Sequence, residues 1–254
     1  MALAAGSEVN AQGCGGRVDL FSRMRRVSTT RVDGKPETSR GQDAIRILLI
    51  ITAAAEPLPP EPAGGPAPAD AVAVLHSQVR LQKLDFWVRN PEYFANELLA
   101  EYEQTGDVTF LDQATAILES DEPQVRRYPM LRYLFGAYEP LDDALAVLRS
   151  AGLVVRRKRG TEARVHRHDY YLTRPGRAAA DRIVREAPVF GYYVRRTRLV
   201  ARFAEGQGGT RLKERQYEQD EYRNTVIGDR IGSIAERVRE RLRRLAVPVG
   251  VSTP

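Results

Sequence analysis

A chain of 254 residues in which 43% are hydrophobic has enough apolar material to bury a core, which excludes global disorder and fits one domain with appendages or two small ones. Its formal charge of +6 admits nucleic acid, an acidic protein surface or an anionic membrane face as partner and chooses none of them. The single cysteine, Cys14, excludes an internal disulfide framework and points to a reducing cytoplasm.

The opening MALAAGSEVNAQGCGG lacks the basic start and unbroken apolar run of a secretion signal. The most apolar stretch, Ile45 to Ala55, is interrupted by Arg46 and has about half the length of a membrane span, so a soluble cytoplasmic chain with no membrane contact is expected. Residues 1–42 mix Gly, Ser, Thr and Arg without helical or strand period and are expected to form a disordered tail. A first helix is predicted from Gln42 or Asp43, with Ala44, Ile45, Leu48, Leu49 and Thr52 at helical spacing, ending before Pro57. The Pro-rich stretch 56–70 cannot carry a helix, because proline lacks a donor and fixes φ, and reads as a semi-extended loop.

From Ala71 to Val88 apolar residues cover most of a helix's circumference, the pattern of a central buried helix. Asn90 caps and Pro91 opens a further helix with Phe94, Leu98 and Tyr102 on one face, stopped at Thr105-Gly106-Asp107. An amphipathic segment from Phe110 to Leu118 leads to an acidic break at Asp121 and Pro123. Pro140 begins a helix with Leu141, Ala144, Leu145 and Leu148 on its apolar face, and Gly152 supplies a left-handed stop. Leu153-Val154-Val155 and Asp169-Tyr170-Tyr171-Leu172 read as the strands of a hairpin whose long basic tip runs from Arg156 to Arg167. Thr173 and Pro175 then start a helix that continues through Ile183.

The expected fold class is mainly α with a small β-hairpin (α+β): a winged-helix domain over 43–186 with its wing at 153–172, a helical insertion, and a C-terminal helical extension over 187–247. In the extension, Val189, Tyr192, Tyr193, Thr197, Val200 and Phe203 keep helical spacing, and Gly206 to Gly209 form a joint. The last helix is predicted from Asp229 to about Leu245. It spaces Ile231, Ala235, Val238, Leu242 and Leu245 as a short seam, which makes 229–245 a candidate for self-association.

No catalytic constellation is visible, so no enzyme activity, cofactor or metal is expected. Cys14 lies in the loose tail, and the three histidines, His76, His166 and His168, form no triad with a nucleophile. The segment GQGGTRLK from Gly206 to Lys213 lacks the spacing of a phosphate-binding loop. His166 and His168 would share one side of a strand, as two metal ligands could, but no Cys or carboxylate pair accompanies them and a solvated basic wing is the stronger reading. The paired acids Asp142-Asp143 and Asp220-Glu221 would point apart on a helix.

Arg156, Arg157, Lys158, Arg159, Arg164 and Arg167 form a candidate DNA-contacting wing, with a merely solvated hairpin as the plainer alternative. The preceding helix offers Glu139, Asp142 and Asp143 where a reader of base edges needs Arg, Asn or Gln. Contact with double-stranded DNA is therefore expected to be directed at the backbone and independent of sequence. Arg195, Arg196, Arg198 and Arg202 form a second basic helix face.

Three blocks, RLQKLDFWVRNPEYFANEL from Arg80, MLRYLFGAYEP from Met130 and DYYLTRPGRAAADRI from Asp169, resemble the small middle component of three-component ABC-ATPase anti-phage defence systems, the group that includes Lamassu. The resemblance spans residues 44–217. It departs at Ala137-Tyr138, where Pro-Trp is more usual, and at the insertion from Thr105 to Pro123. It implies a winged-helix accessory subunit that joins an SMC/Rad50-like ABC ATPase to an effector subunit, often a nuclease. Arg132, Tyr133, Tyr138, Tyr192, Tyr193, Arg195 and Arg196, aromatic residues beside arginines, are the candidate partner-binding set, with core filling as the alternative. A homodimeric winged-helix transcription regulator is the second functional reading.

Overall fold

A computed structural model describes residues 39–60, 66–133, 136–161 and 164–246, together with the backbone of 31–32 and 35–36. The chain divides into two units, residues 1–39 and 40–254. In the first, Arg31–Val32 (β1) pairs antiparallel with Lys35–Pro36 (β2). The rest of the expected tail up to residue 38 lies outside the described residues.

The second unit is mainly helical with a small antiparallel sheet. Its first helix, α1 (Arg40–Ala54), begins before the expected Gln42 cap and is buried continuously from Ala44 to Ile51. A run of Ile and Leu with only Arg46 among them suits a central helix packed from several sides. The helices α6 (Asp142–Ser150), α7 (Arg174–Glu186) and α8 (Gly191–Phe203) pack around it. Arg46, 2% exposed, is tolerated there because Nε donates to Asp85 Oδ1 at 2.7 Å and the guanidinium also pairs with Asp43.

The helix expected over 71–88 is instead a strand and a helix. Ala71–His76 forms β4 and Gln78–Arg89 forms α2, separated by Ser77 at φ 76°. A strand covered on both faces has the same continuous apolar pattern as a buried helix, so periodicity alone cannot separate them. The partner strand decides: β4 lies antiparallel to β8 (Val165–Thr173), with Val74 opposite Tyr171 and Leu75 opposite Tyr170.

The sheet has the order β3-β4-β8-β7, where β3 is Glu56–Pro57 and β7 is Val154–Gly160. The ribbon strands are longer than expected. They continue through the basic segment to Gly160 and Val165, so the long loop predicted over 156–167 is a short turn on extended strands. Opposed residues share a face. Val154, Leu172, Tyr170 and Leu75 lie on one side of the sheet, and Arg157, Arg159, Tyr171, Asp169, Val74 and His76 lie on the other.

The insertion comprises α3 (Pro91–Thr105), α4 (Val108–Leu118) and the short α5 (Glu122–Val125). Asp107 caps α4 by accepting from Thr109 N at 2.9 Å. An unforeseen hairpin follows, β5 (Leu131–Tyr133) with β6 (Gly136–Tyr138). The helix expected from Pro140 starts at Asp142. Thr173 caps α7 by accepting from Gly176 N at 3.0 Å.

A short 3-10 turn leads into α8. After it come α9 (Gly209–Tyr217), α10 (Asp220–Asn224) and α11 (Ala235–Ala246). These helices pack back onto the domain. Phe203 of α8 meets Trp87 and Phe94 edge-on at 5.5 and 5.4 Å. The last helix starts at Ala235 rather than Asp229, because 228–231 is taken up along β5: Arg132 N donates to Asp229 O at 2.8 Å and Ile231 N to Met130 O at 3.0 Å. The seam of Ala235, Val238 and Leu242 is buried, with α11 packed on α3 and α4. The apolar face expected to mediate self-association is thereby used inside the chain.

Candidate functional site

The ribbon's basic residues do not form a uniformly free cationic surface. Asp169, 1% exposed, receives three cations: His76 Nδ1 at 3.0 Å, Arg159 Nε at 3.1 Å and Arg167 Nε at 3.0 Å. Burial pushes the Asp169 carboxyl up, but the hydrogen bonds from His76 and Arg159 and the charges of His76 and Arg167 outweigh it and hold the group below the usual carboxylate range. Arg159 also donates to the Tyr171 hydroxyl. Arg157 lies 5.8 Å from the Tyr171 ring centroid and donates to the Pro66 carbonyl, which ties the Pro-rich segment to this face of the sheet. Arg156 pairs with Asp142 at 3.2 Å. Lys158 and Arg164 are exposed and make no ion pair among the described residues.

The helix before the ribbon has an acidic front. The side chains of Asp142 and Asp143 are 82% and 67% exposed, and Asp143 pairs with Arg40 at 3.0 Å. Phosphates approaching this turn meet negative charge, while the ribbon beside it carries the cations.

The partner set predicted from sequence is split by the structure. Arg132, Tyr192 and Arg196 are 9%, 7% and 5% exposed and belong to the interior. Arg132 stacks over Tyr217 at 4.8 Å, Tyr192 donates to the Val88 carbonyl at 3.0 Å, and Arg196 pairs with Glu122 and lies over Phe94. Arginine stems and aromatic rings pack well together, so this composition serves a core as readily as an interface. Tyr193 is half-buried and Arg195 exposed. Arg195, Arg198 and Arg202 keep one exposed stripe on α8. Tyr133 is half exposed and contacts half-buried Tyr138, ring centroids 5.5 Å apart.

The structure also assembles a cleft that the linear sequence did not reveal. The β4–α2 turn at Ser77, the inner end of β8 and the β5–β6 hairpin enclose a cavity of about 360 Å³. Lys83, Tyr133, Tyr138, His166, Arg167 and His168 contribute to its walls, and no Asp or Glu lines it. A wider cleft of about 1100 Å³ shares Ser77, His166 and Arg167 with it and adds His76, Arg80 and Arg202. All three histidines of the chain therefore border one connected region. Ser77, at its centre, is the only non-glycine residue with positive φ among those described.

Lys83 lies on α2 and is 1% exposed. Its ammonium donates to Tyr222 Oη at 2.9 Å, and the same oxygen accepts from Ala137 N at 2.5 Å. Burial, then the charges of Lys213 and Arg132, lower the Lys83 pKa to about 7. His168 is lowered as well, by partial burial and then by Arg156 and Lys158. Among the described residues no group of three His, Cys, Asp or Glu is placed to hold a metal ion. No described helix is long and apolar enough to cross a membrane.

No protein-family model matches the chain, and comparisons with curated proteins and with solved structures return no match.

Proposed function

We propose that this chain is a non-catalytic adaptor subunit. In this reading a winged-helix module joins an SMC-like ABC ATPase to an effector in an anti-phage or anti-plasmid complex and touches the DNA backbone through its ribbon. The helix and strand order supports the module: α1, β4, α2, then α6, β7 and β8 after the insertion, with β4 pairing to β8 as the third strand.

The observation that carries the function is the contrast between α6 and the ribbon. The turn that would have to read base edges exposes Asp142 and Asp143, while exposed Lys158 and Arg164 stand on the neighbouring strands. Such a surface tolerates a phosphate backbone only at the ribbon and gives no base readout. The homodimeric regulator is the weaker reading on the same ground and because the α11 seam is occupied within the chain.

For the ATPase, the best-suited contact is the exposed apolar patch on and beside β5. Leu131 and Tyr133 are 39% and 50% exposed, and Val226 and Ile227, next to the segment hydrogen-bonded to β5, are 68% and 56% exposed. Co-expression with the adjacently encoded ATPase tests this reading. The complex should copurify, and Tyr133→Asp combined with Ile227→Asp should abolish it while the chain stays folded. A well-folded pair that never associates would overturn the adaptor reading.

A further inference from the structure

We propose that the 360 Å³ cleft between the β4–α2 turn, the inner end of the ribbon and the β5–β6 hairpin binds a nucleoside monophosphate unit, supplied either as a free nucleotide or as the unpaired terminal nucleotide of a DNA strand. The inference goes beyond the adaptor reading and does not depend on it.

The cleft lies within the size range of small-ligand sites, roughly 300–1,000 Å³. Its walls divide into two chemistries. On the hairpin side Tyr133 presents a half-exposed ring backed by Tyr138, a platform on which a planar base can stack. On the opposite side stand only cationic or hydrogen-bond-donating groups. His166 and His168 alternate along β8 and so reach the same side of the strand, Arg167 borders them, and Lys83 closes the interior end. The absence of any lining carboxylate makes the site selective for an anion, and the ring platform favours an anion that carries an aromatic group.

Two further features prepare the cleft for such a ligand. Helix α2, 12 residues long, begins at this wall. Ser77 stands at its N-cap without spending its side chain on a cap hydrogen bond, which leaves the hydroxyl and the first-turn amides available to a phosphate. Lys83 reaches the cleft only because residue 136 is glycine. A Cβ there would lie 2.1 Å from Tyr222 Oη and 2.7 Å from Lys83 Nζ, and the backbone φ of 103° also favours glycine. The hairpin and the buried lysine are thus fitted to each other.

Isothermal titration of the full chain tests the proposal with 5′-AMP, adenosine and inorganic phosphate as probes, alongside a blunt DNA duplex and one carrying a single unpaired 5′-phosphorylated nucleotide. A saturable site is expected for AMP or for the overhang duplex. Adenosine and phosphate should each bind roughly tenfold or more weakly, since each fills half of the cleft. Tyr133→Ala and Lys83→Met should each weaken binding by roughly tenfold. Lys158→Ala with Arg164→Ala should leave AMP binding unchanged, which separates the cleft from the ribbon. Competition between AMP and the overhang duplex, but not the blunt one, would identify the strand end as a source. AMP binding without such competition would identify the free nucleotide. Saturable binding of neither probe at millimolar concentration, phosphate binding as tightly as AMP, or binding indifferent to Tyr133 and Lys83 would each overturn the proposal.

Discussion

Replacing Lys83 with Met removes a buried ammonium while keeping most of the side chain's volume, and its effect on stability should reverse with pH. Unfolding returns the amine to its ordinary pKa of 10.5, whereas in the folded chain it lies at about 7 because of burial and the charges of Lys213 and Arg132. Below pH 7 both states hold the proton, and the folded chain bears the whole cost of the buried charge, about 5 kcal/mol at about 1.4 kcal/mol per pH unit of separation. Between pH 7 and 10.5 the unfolded chain binds more protons than the folded one, so the wild type gains stability as pH rises and the penalty is gone at the upper end. The Met variant lacks this dependence. It also loses the 2.9 Å hydrogen bond to Tyr222, worth about 1 kcal/mol. The variant should therefore be more stable than the wild type by roughly 4 kcal/mol at pH 6, and slightly less stable near pH 10. Urea unfolding of both proteins across this range measures the difference. A difference that stays constant with pH would refute the reasoning, because it would mean that Lys83 keeps an ordinary amine pKa in the folded chain.

Asp169→Asn should destabilise the chain by about 3–5 kcal/mol at pH 7, since it leaves Arg159, Arg167 and His76 gathered around a neutral group. The folded Asp169 pKa is depressed, so the wild type's advantage is present above the ordinary carboxylate pKa and fades as pH falls through the folded value; chemical denaturation at neutral and acid pH reads both. Thr173→Ala should cost about 1–2 kcal/mol in thermal unfolding, because Oγ1 caps α7 and donates to the Gly152 and Leu153 carbonyl region at 2.7 and 3.0 Å. Gly136→Ala should cost roughly 2–4 kcal/mol in urea unfolding, combining a collision with Tyr222 Oη and a strained backbone. In the Lys83→Met background the Gly136→Ala cost should fall only partly, because the tyrosine contact remains.

The ribbon and its flanking helices were legible in the sequence because their signals are local. Gly152, at φ 69°, stops α6 where a left-handed residue was expected, and Thr173 caps α7 through its own hydroxyl. The alternation of Leu172, Tyr170 and their neighbours marks a strand without reference to the rest of the chain. The basic character of the ribbon was equally plain. Its partial neutralisation was not, because the decisive carboxylate is held by His76, which is 93 residues away in sequence.

The cleft was not legible, and neither was the burial of the arginines. Ser77, Lys83, Tyr133 and His166 come from three separated stretches and carry no motif spacing, so only their convergence gives them a shared chemistry. Tyr192 and Arg196 have the composition of an interface, yet Val88, Glu122 and Phe94 wait for them inside.

By itself, the order of residues determined the caps, the stops, the ribbon and the predominance of helix, since each depends on neighbours a few positions apart. Tertiary structure alone decided that 71–76 is a strand, that the C-terminal seam closes onto α3 and α4, and that three histidines meet beside a buried lysine. These outcomes rest on pairing and burial between distant segments, and apolar periodicity records that a residue is covered without recording what covers it.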